Sequence, residues 1–404
     1  MKKVVVRLVE SADLPGIDKL RILVYPHLPE SYDFEWHASI WRWLESHPLA
    51  GDEMHRWILA TEEGEVVGHL AAIPQYYRVN GQRVVAHTPG DYQVLPQYGF
   101  HALLLMRKFF RTVQNCVACD MVPAVIGVET RMGAEVAGDL HYAAKLLNVS
   151  RLPMPSPPAP IRRLLNLKEP SAPARGYQDP SEAELAEDHG APLIRPRAPI
   201  PAPISKLLNG GLWVVDKALG GVFRGSLKVE ELEDFDESFD ELFEKVASSV
   251  PCMAEKNAAF LRWRYGPDSP QHPVTILAVR DGESLLGYAV LGITIETPHG
   301  FRDAYILDLT TLPGRRDVAQ ALLRESVRCF RREAVPIVRY RFLMSPTSAH
   351  SSDLWRLGFF YRNRRRNTLL TKFADRGLHK TANDTANWSY GVGDGEATFW
   401  LKLR

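Results

Sequence analysis

Two consecutive arginines, Arg315 and Arg316, follow a Pro313-Gly314 break inside the stretch LDLTTLPGRRDVAQALLRESVRCF (Leu307 to Phe330), and the residues around them have the makings of an anion site. Upstream, Tyr305 to Leu309 is apolar and β-prone with Asp308 interrupting it; downstream, Val318, Ala321, Leu322, Val327 and Phe330 fall near helical spacing. The break therefore predicts a strand that passes at once into a helix, with Asp317 as the N-cap. A helix N-terminus offers unpaired N–H groups and the positive end of a dipole, which suits a phosphate, and the two guanidinium groups add donors. Ala319 and Ala321 keep the first turn slim, so an extended phosphate-bearing ligand can approach the backbone. The bland reading of the same residues is a βα connection whose alanines pack against a sheet.

The chain that must position these residues is 404 long and 45% hydrophobic, enough apolar material for two cores. With 49 Lys+Arg against 48 Asp+Glu, a net charge of +1 gives no global attraction to nucleic acid or to an anionic membrane. The basic cluster Arg362, Arg364, Arg365 and Arg366 adjoins the strand-like NTLLTKF and reads as a solvated edge. Of four cysteines only Cys116 and Cys119 have a suggestive spacing, and no second pair completes a zinc site, so reduced structural thiols are expected. The opening apolar run is cut by Arg7, and nowhere do about eighteen apolar residues run together. A cytoplasmic protein without membrane insertion is the expectation.

Between Arg151 and Ser205 the density of proline suggests an extended connector between two halves. Each half repeats the other. WILATEEGEVVGHLAAIPQYY (Trp57 to Tyr77) is similar to TILAVRDGESLLGYAVLGITI (Thr275 to Ile295), and Asp91 and Pro96 match Asp308 and Pro313. The offsets are 287 − 68 = 219 for the hairpin glycines Gly68 and Gly287, 308 − 91 = 217 for the aspartates and 313 − 96 = 217 for the prolines. Near-constant offsets imply two copies of one α/β unit: residues 1–150, a connector over 151–205, and residues 206–404.

These repeats, with the late LWRLGFFY and the segments NAAFLRWRYGPDSP and NWSYGVGDGEATFW, resemble the GNAT (Gcn5-related) acyl-CoA N-acyltransferase superfamily in a tandem form, similar to a bacterial subgroup tied to surface-polysaccharide or peptidoglycan biosynthesis. The resemblance implies a mixed α/β fold, two domains each with a mixed central sheet flanked by helices. It implies acetyl-CoA, or another acyl-CoA, as co-substrate, no metal, and an amine-bearing small molecule or saccharide as acceptor. The family's loop pattern, Arg/Gln-x-x-Gly-x-Gly/Ala, falls on Arg316, Ala319 and Ala321, so Leu309, Thr311, Arg315, Arg316, Asp317, Val318, Ala319 and Ala321 are the expected coenzyme A contacts. In the first half the pattern falls on Gly99, Ala102 and Leu104, where the cation is missing and a leucine is bulky. The C-terminal copy is therefore expected to bind the cofactor and the N-terminal copy to be a degenerate scaffold, although Gly99 leaves an anion nest there open.

Acyl transfer to an amine needs a base, an oxyanion stabiliser and an acid for the departing thiolate. Asp308, whose strand leads into the loop, is the first candidate base, with ion pairing as its bland alternative; Glu296 is the second. The family's acid tyrosine stands four residues before the glycine of the Gly-Phe motif, a place held here by Leu354, which leaves Tyr361, Ser351 and Ser352 as substitutes. The rival readings are aminoacyl transfer from a charged tRNA, which balanced charge disfavours, and a non-catalytic protein that binds coenzyme A or a saccharide. Trp36, Ile40 and Trp43 share helical spacing and read as core. The histidines show no metal-ligand spacing. Val229 to Ser249 reads as an amphipathic helix with a solvated acidic face.

Overall fold

The computed structural model describes residues 3–26, 28–150, 152, 200–220, 227–295, 302–362 and 367–404. Most of the proline-rich connector, three arginines of the basic cluster and Glu296 lie outside the described residues. The first half opens with β1 (Val4–Leu8), α1 (Leu14–Val24), α2 (Phe34–Glu45) and α3 (Ala50–Glu53). The hairpin β2 (His55–Thr61) and β3 (Val66–Val79) leads to β4 (Gln82–Val94), a 3-10 turn (Pro96–His101) and α4 (Ala102–Thr112). β5 (Cys116–Asp120), α5 (Pro123–Arg131), β6 (Glu135–Asp139) and β7 (His141–Leu146) follow.

Beyond the connector come α6 (Ala202–Gly220), β8 (Glu230–Leu232), α7 (Ser238–Ala247), β9 (Cys252–Ala254) and α8 (Ala258–Tyr265). The second hairpin is β10 (Thr275–Asp281) and β11 (Ser284–Ile293); β12 (Asp303–Thr311) then turns at Pro313-Gly314 into α9 (Arg316–Arg332). β13 (Ile337–Phe342), α10 (Ser351–Arg356), β14 (Phe360–Tyr361), β15 (Thr368–Lys372), α11 (Arg376–Ala382) and β16 (Trp388–Ser389) are followed by 3-10 turns at Val392–Asp394 and Glu396–Thr398.

The strands form two mixed sheets. One runs β1-β2-β3-β4-β5-β15-β6, with β9 and β16 added beside β3, and the other runs β14-β7-β13-β12-β11-β10-β8. Each sheet thus takes a strand from the opposite half. β15 lies antiparallel between β5 and β6, with Leu370 opposite Ala118 and Val136. β7 lies antiparallel between β13 and β14, with Ala143 opposite Tyr340 and Tyr361. Both exchanged strands are inner strands with side chains buried on successive positions, Leu369-Leu370 and Ala143-Ala144, as a strand covered on both faces requires.

Helices supply those covers. α9 turns Val318, Ala319, Leu322, Leu323 and Phe330 onto its sheet, and α4 does the same with Leu105, Met106 and Phe109. In α2, Trp36, Ile40 and Trp43 are buried, in keeping with their spacing, and Trp41 is buried too. Trp43 stacks on Trp263 of α8 with ring centroids 4.4 Å apart, and each indole donates to the other's carbonyl, at 2.7 and 3.2 Å, which ties the halves together. Along β5, Cys116 packs on one face and Cys119 on the other, so the pair cannot share a ligand. No helix among the described residues is long and apolar enough to cross a membrane.

Reciprocal exchange makes each sheet incomplete without the other half. Residues 1–150 and 206–404 expressed separately should be insoluble or molten, whereas co-expression should restore a complex with native near-ultraviolet circular dichroism. A stably folded isolated half would contradict the exchange.

Candidate functional site

The internal repeat persists to the level of single hydrogen bonds. In β4 a bulge sets Asp91 and Tyr92 opposite Leu70 alone, and in β12 a bulge leaves Leu307 as the extra residue beside Asp308. Asp91 has a φ of 50°, left-handed backbone that an aspartate adopts only where its surroundings hold it there. Its carboxylate takes Arg21 Nη2 at 2.8 Å and lies 3.1 Å from His69 Nδ1, with Gln93 as a further donor. Asp308 takes Lys256 Nζ, Tyr288 Oη and Thr310 Oγ1, all at 3.0 Å. His69 and Tyr288 are separated by the hairpin offset, 288 − 69 = 219. Burial pushes the Asp91 carboxyl up, but Arg21 and His69 outweigh it and hold the group well below the usual carboxylate range. Both aspartates face a buried cation; Asp308 has the ion-paired place that was the alternative to a base.

In the C-terminal copy the opening between parallel strands is filled by the protein itself. β12 and β13 pair from Asp303 and Ile337 to Ile306 and Tyr340, and then diverge. Into the gap runs the 390–394 segment: Gly391 bridges Phe342, the Leu343 amide donates to the Tyr390 carbonyl at 2.8 Å, and a Cβ on Gly393 would sit 2.5 Å from the Leu307 carbonyl oxygen. Asp394 Oδ1 meets Lys256 Nζ at 2.9 Å, and its second oxygen accepts the Gly391 amide at 2.7 Å. Burial pushes Asp394 up to about 6 against the pull of Lys256, with Asp308 adding to the rise. Burial draws Lys256 down, but the two carboxylates outweigh it and raise it.

The expected phosphate loop is engaged likewise. The amides of Thr311 and Gly314 donate to Thr347 and Pro346 carbonyls at 3.0 Å, Arg316 to Gly314 at 2.8 Å, and Val318 and Ala319 to Arg315 at 3.1 and 3.2 Å. Asp317 lies inside the first turn, where its carboxylate accepts the Val318 amide and pairs with Arg315 at 2.8 Å. Arg316 makes a two-pronged bond to Asp353 at 2.6 Å and reaches Ser352 at 2.7 Å. Leu309, Val318, Ala319 and Ala321 are buried in the core. The alanines of this junction are packed, and two carboxylates pair with its cations, Asp317 with Arg315 and Asp353 with Arg316. Tyr361 sits on the edge strand β14, beside His141.

The N-terminal copy is built differently. β4 and β5 share a single parallel pair, His87 with Cys116, and diverge beyond it. Glu396 enters this wedge, two residues after the Asp394 clamp. Its Oε1 accepts the Asp91 amide at 3.2 Å and Trp400 Nε1 at 2.6 Å, and a Cβ on Gly90 would approach its Cγ to 3.2 Å. Glu396 is partly buried; burial pushes its carboxyl up to about 7, helped by Asp120 and Asp91 and opposed by the two donors. Tyr25, raised by burial to about 12, feels Asp91, Glu396 and Asp120. A carboxyl that titrates near neutrality, aimed into an acid-lined cleft, can take a proton from an ammonium or amine.

At the mouth of the wedge, the 3-10 turn before α4 presents Gly99 with nothing within 4 Å of a Cβ, and no acidic residue stands in the first turn of α4. Leu104, which looks too bulky in sequence, points outward at 40% exposure and obstructs nothing. Phe100, Met121 and Val122 are exposed on the two lips. Glu396 escaped sequence reasoning because its charge state comes from residues far away in the chain; the glycines around it in GVGDGEATFW were the available signal.

Replacing Lys256 with Met should strand two buried carboxylates and cost about 3–5 kcal/mol of stability. The check is a lowered urea midpoint at unchanged slope.

No protein-family model and no curated protein matches the chain. Solved structures do. The structure is similar to a GCN5-related N-acetyltransferase of Anabaena variabilis (13% identity, TM-score 0.52, covering 92% of this chain and 73% of that one). It is similar to a GCN5-related N-acetyltransferase of Kribbella flavida (11%, 0.51, 93% and 72%). It is also similar to the Saccharomyces cerevisiae N-myristoyltransferase with bound myristoyl-CoA (12%, 0.52, 96% and 89%). At such identities the likeness is one of fold, and it extends over nearly the whole chain.

Proposed function

We propose that the protein is an acyl-CoA-dependent N-acyltransferase whose reacting centre is the N-terminal wedge between β4 and β5, completed by Glu396 from the second half. The observation that carries the reading is a carboxyl tuned to about 7 and hydrogen-bonded to the backbone of a strained bulge where two parallel strands part. The neighbours of this fold in solved structures are N-acetyltransferases and an N-myristoyltransferase, which supports thioester chemistry.

In this reading the two GNAT-like units, residues 1–150 and 206–404, share one site. The acyl-CoA lies in the wedge with its phosphates at the turn around Gly99, at the positive end of the α4 dipole, where no acid stands in the first turn. Phe100, Met121 and Val122 line the apolar path of the pantetheine arm or acyl chain. Acetyl-CoA is the simplest donor. The acceptor is an amine-bearing small molecule or cell-envelope saccharide precursor, drawn in as the ammonium by Asp120 and Glu396. Glu396 takes the proton that the amine nitrogen loses as the C–N bond forms. The C-terminal copy is the scaffold, its own wedge closed by residues 390–394.

Acetyl-CoA should raise the melting temperature, by mass action on the native state. Gly99→Glu, which meets no atoms but adds an anion, should abolish that shift, and Arg315→Glu should leave it intact; the opposite pattern would return the site to the C-terminal loop.

With aminosugars, polyamines and amino-terminal peptides as acceptors, thiol release should rise with pH through about 7, following Glu396. Glu396→Gln should cut kcat roughly 10²–10⁴-fold and remove that limb. A wild-type protein that releases no thiol with any amine would count against the proposal.

A further inference from the structure

The helix α6 is turned inside out. Its polar residues face the protein: Ser205 is buried, Asn209 accepts the Val149 amide at 2.9 Å and donates to Asn148 and Ser150 at 3.0 Å, and Asp216 pairs with Lys145 of β7 and Arg331 of α9. Its apolar residues face water. Ile204, Leu207, Leu208 and Val214 recur at helical spacing on the side away from those anchors, Leu207 at 78% and Val214 at 58% exposure, and Trp213, 61% exposed, runs along one flank. A helix that merely packs on a globular core has the reverse arrangement, apolar stripe inward and polar face out. Single exposed apolar residues are ordinary; a row of them on one helix marks a surface that meets something apolar.

The charges sort in the same sense. The single acid of α6, Asp216, is turned inward, whereas its two cations, Lys206 and Lys217, are exposed, with the Lys217 ammonium 4.8 Å from the Trp213 ring centre. The Lys145 ammonium that holds Asp216 also donates to the Leu357 carbonyl, so the end of α10 adjoins α6. There Trp355 is 67% exposed and Arg356 is exposed next to it. The acid of α10, Asp353, is committed to Arg316. Outward, the two helices therefore offer aliphatic side chains, two indoles and three cations, and neither presents an acid.

We propose that α6 seats the protein on an anionic lipid surface, lying in the plane of the bilayer with its apolar ridge in the boundary between headgroups and acyl chains. The proposal stands independently of the acyltransferase reading. The leucines, Ile204 and Val214 enter the apolar boundary, the indoles of Trp213 and Trp355 take the headgroup level that suits an amphipathic ring, and Lys206, Lys217 and Arg356 meet lipid phosphates. Asn209 and Asp216 bond the other side of the helix to the fold, so α6 rests on the surface and does not cross it. A net charge of +1 is no measure of this face, because charges are felt over only about 10 Å at moderate salt. A second copy of the chain fits the face less well: it would set the same three cations against their counterparts with no acid from either helix to meet them.

Co-sedimentation of the full-length protein with vesicles decides the matter. The wild type should bind vesicles of phosphatidylglycerol and phosphatidylcholine, should leave vesicles of phosphatidylcholine alone in the supernatant fraction unbound, and should be released from the anionic vesicles by added salt. Leu207→Ser combined with Trp213→Ser, and separately Lys206→Glu combined with Lys217→Glu, should each weaken that binding roughly tenfold or more. Both pairs should melt at the wild-type temperature, since all four side chains are exposed. A wild type that ignores anionic vesicles, or binds both kinds equally, would overturn the proposal, as would a variant pair that binds like the wild type. A wild-type dimer that either pair splits would assign the face to a second copy instead. A lowered melting temperature in the Leu207 and Trp213 pair would assign it to another part of this chain, and the lipid surface would again be the wrong occupant.

Discussion

One ammonium between two carboxylates organises this molecule. Lys256 joins Asp308, on the central strand of one sheet, to Asp394, on the segment that crosses to the other, at 3.0 and 2.9 Å. All three groups are out of water, so each would be expensive to bury alone, and the geometry of the trio fixes where the 390–394 segment lies. That placement does two things at once. It fills the gap between β12 and β13, and it delivers Glu396 to the gap between β4 and β5. An apolar substitute for the trio could fill the same volume, but it would not specify the register of the segment to a single residue.

The duplicated architecture shows how one plan yields two outcomes. Both copies keep the bulged strand, the aspartate on it, a buried cation facing that aspartate and a donor from the neighbouring hairpin strand, His69 in one and Tyr288 in the other. The difference lies in what enters the space between the diverging strands. Backbone with glycines enters one, and a titratable side chain enters the other. Asp317 and Asp353 neutralise the cations of one helix entrance, whereas no acid stands in the first turn of α4.

Much of the fold is legible in sequence. The hairpins, the strand that breaks at Pro313-Gly314 and the repeat spacing follow from local apolar periodicity and turn residues, which act over a few positions. The exchange of β7 and β15 is not, because TLLTK and HYAAKL have the pattern of an inner strand whichever sheet receives them. The candidate site reads less well for the same reason. Arg315 and Arg316 next to a helix start signal an anion site as readily as they signal pairing with Asp317 and Asp353, and only tertiary contact separates the two. Asp308 is visible as an acid in a strand; that its partners are Lys256 and Tyr288 is not. Glu396 owes its properties to Asp91 and Asp120, brought to it from two distant strands.

The order in which a ribosome makes this chain gives the strand exchange a kinetic meaning. β5 and β6 are synthesised long before β15, so during translation the first sheet carries two open inner edges with the hydrogen-bonding groups of a strand still unmet. The nascent protein must keep those edges from pairing with other chains, and the cleft remains without its carboxylate until residue 396 has been added. A product truncated before β15 would leave both of those edges of the first sheet unmet, and would be adhesive.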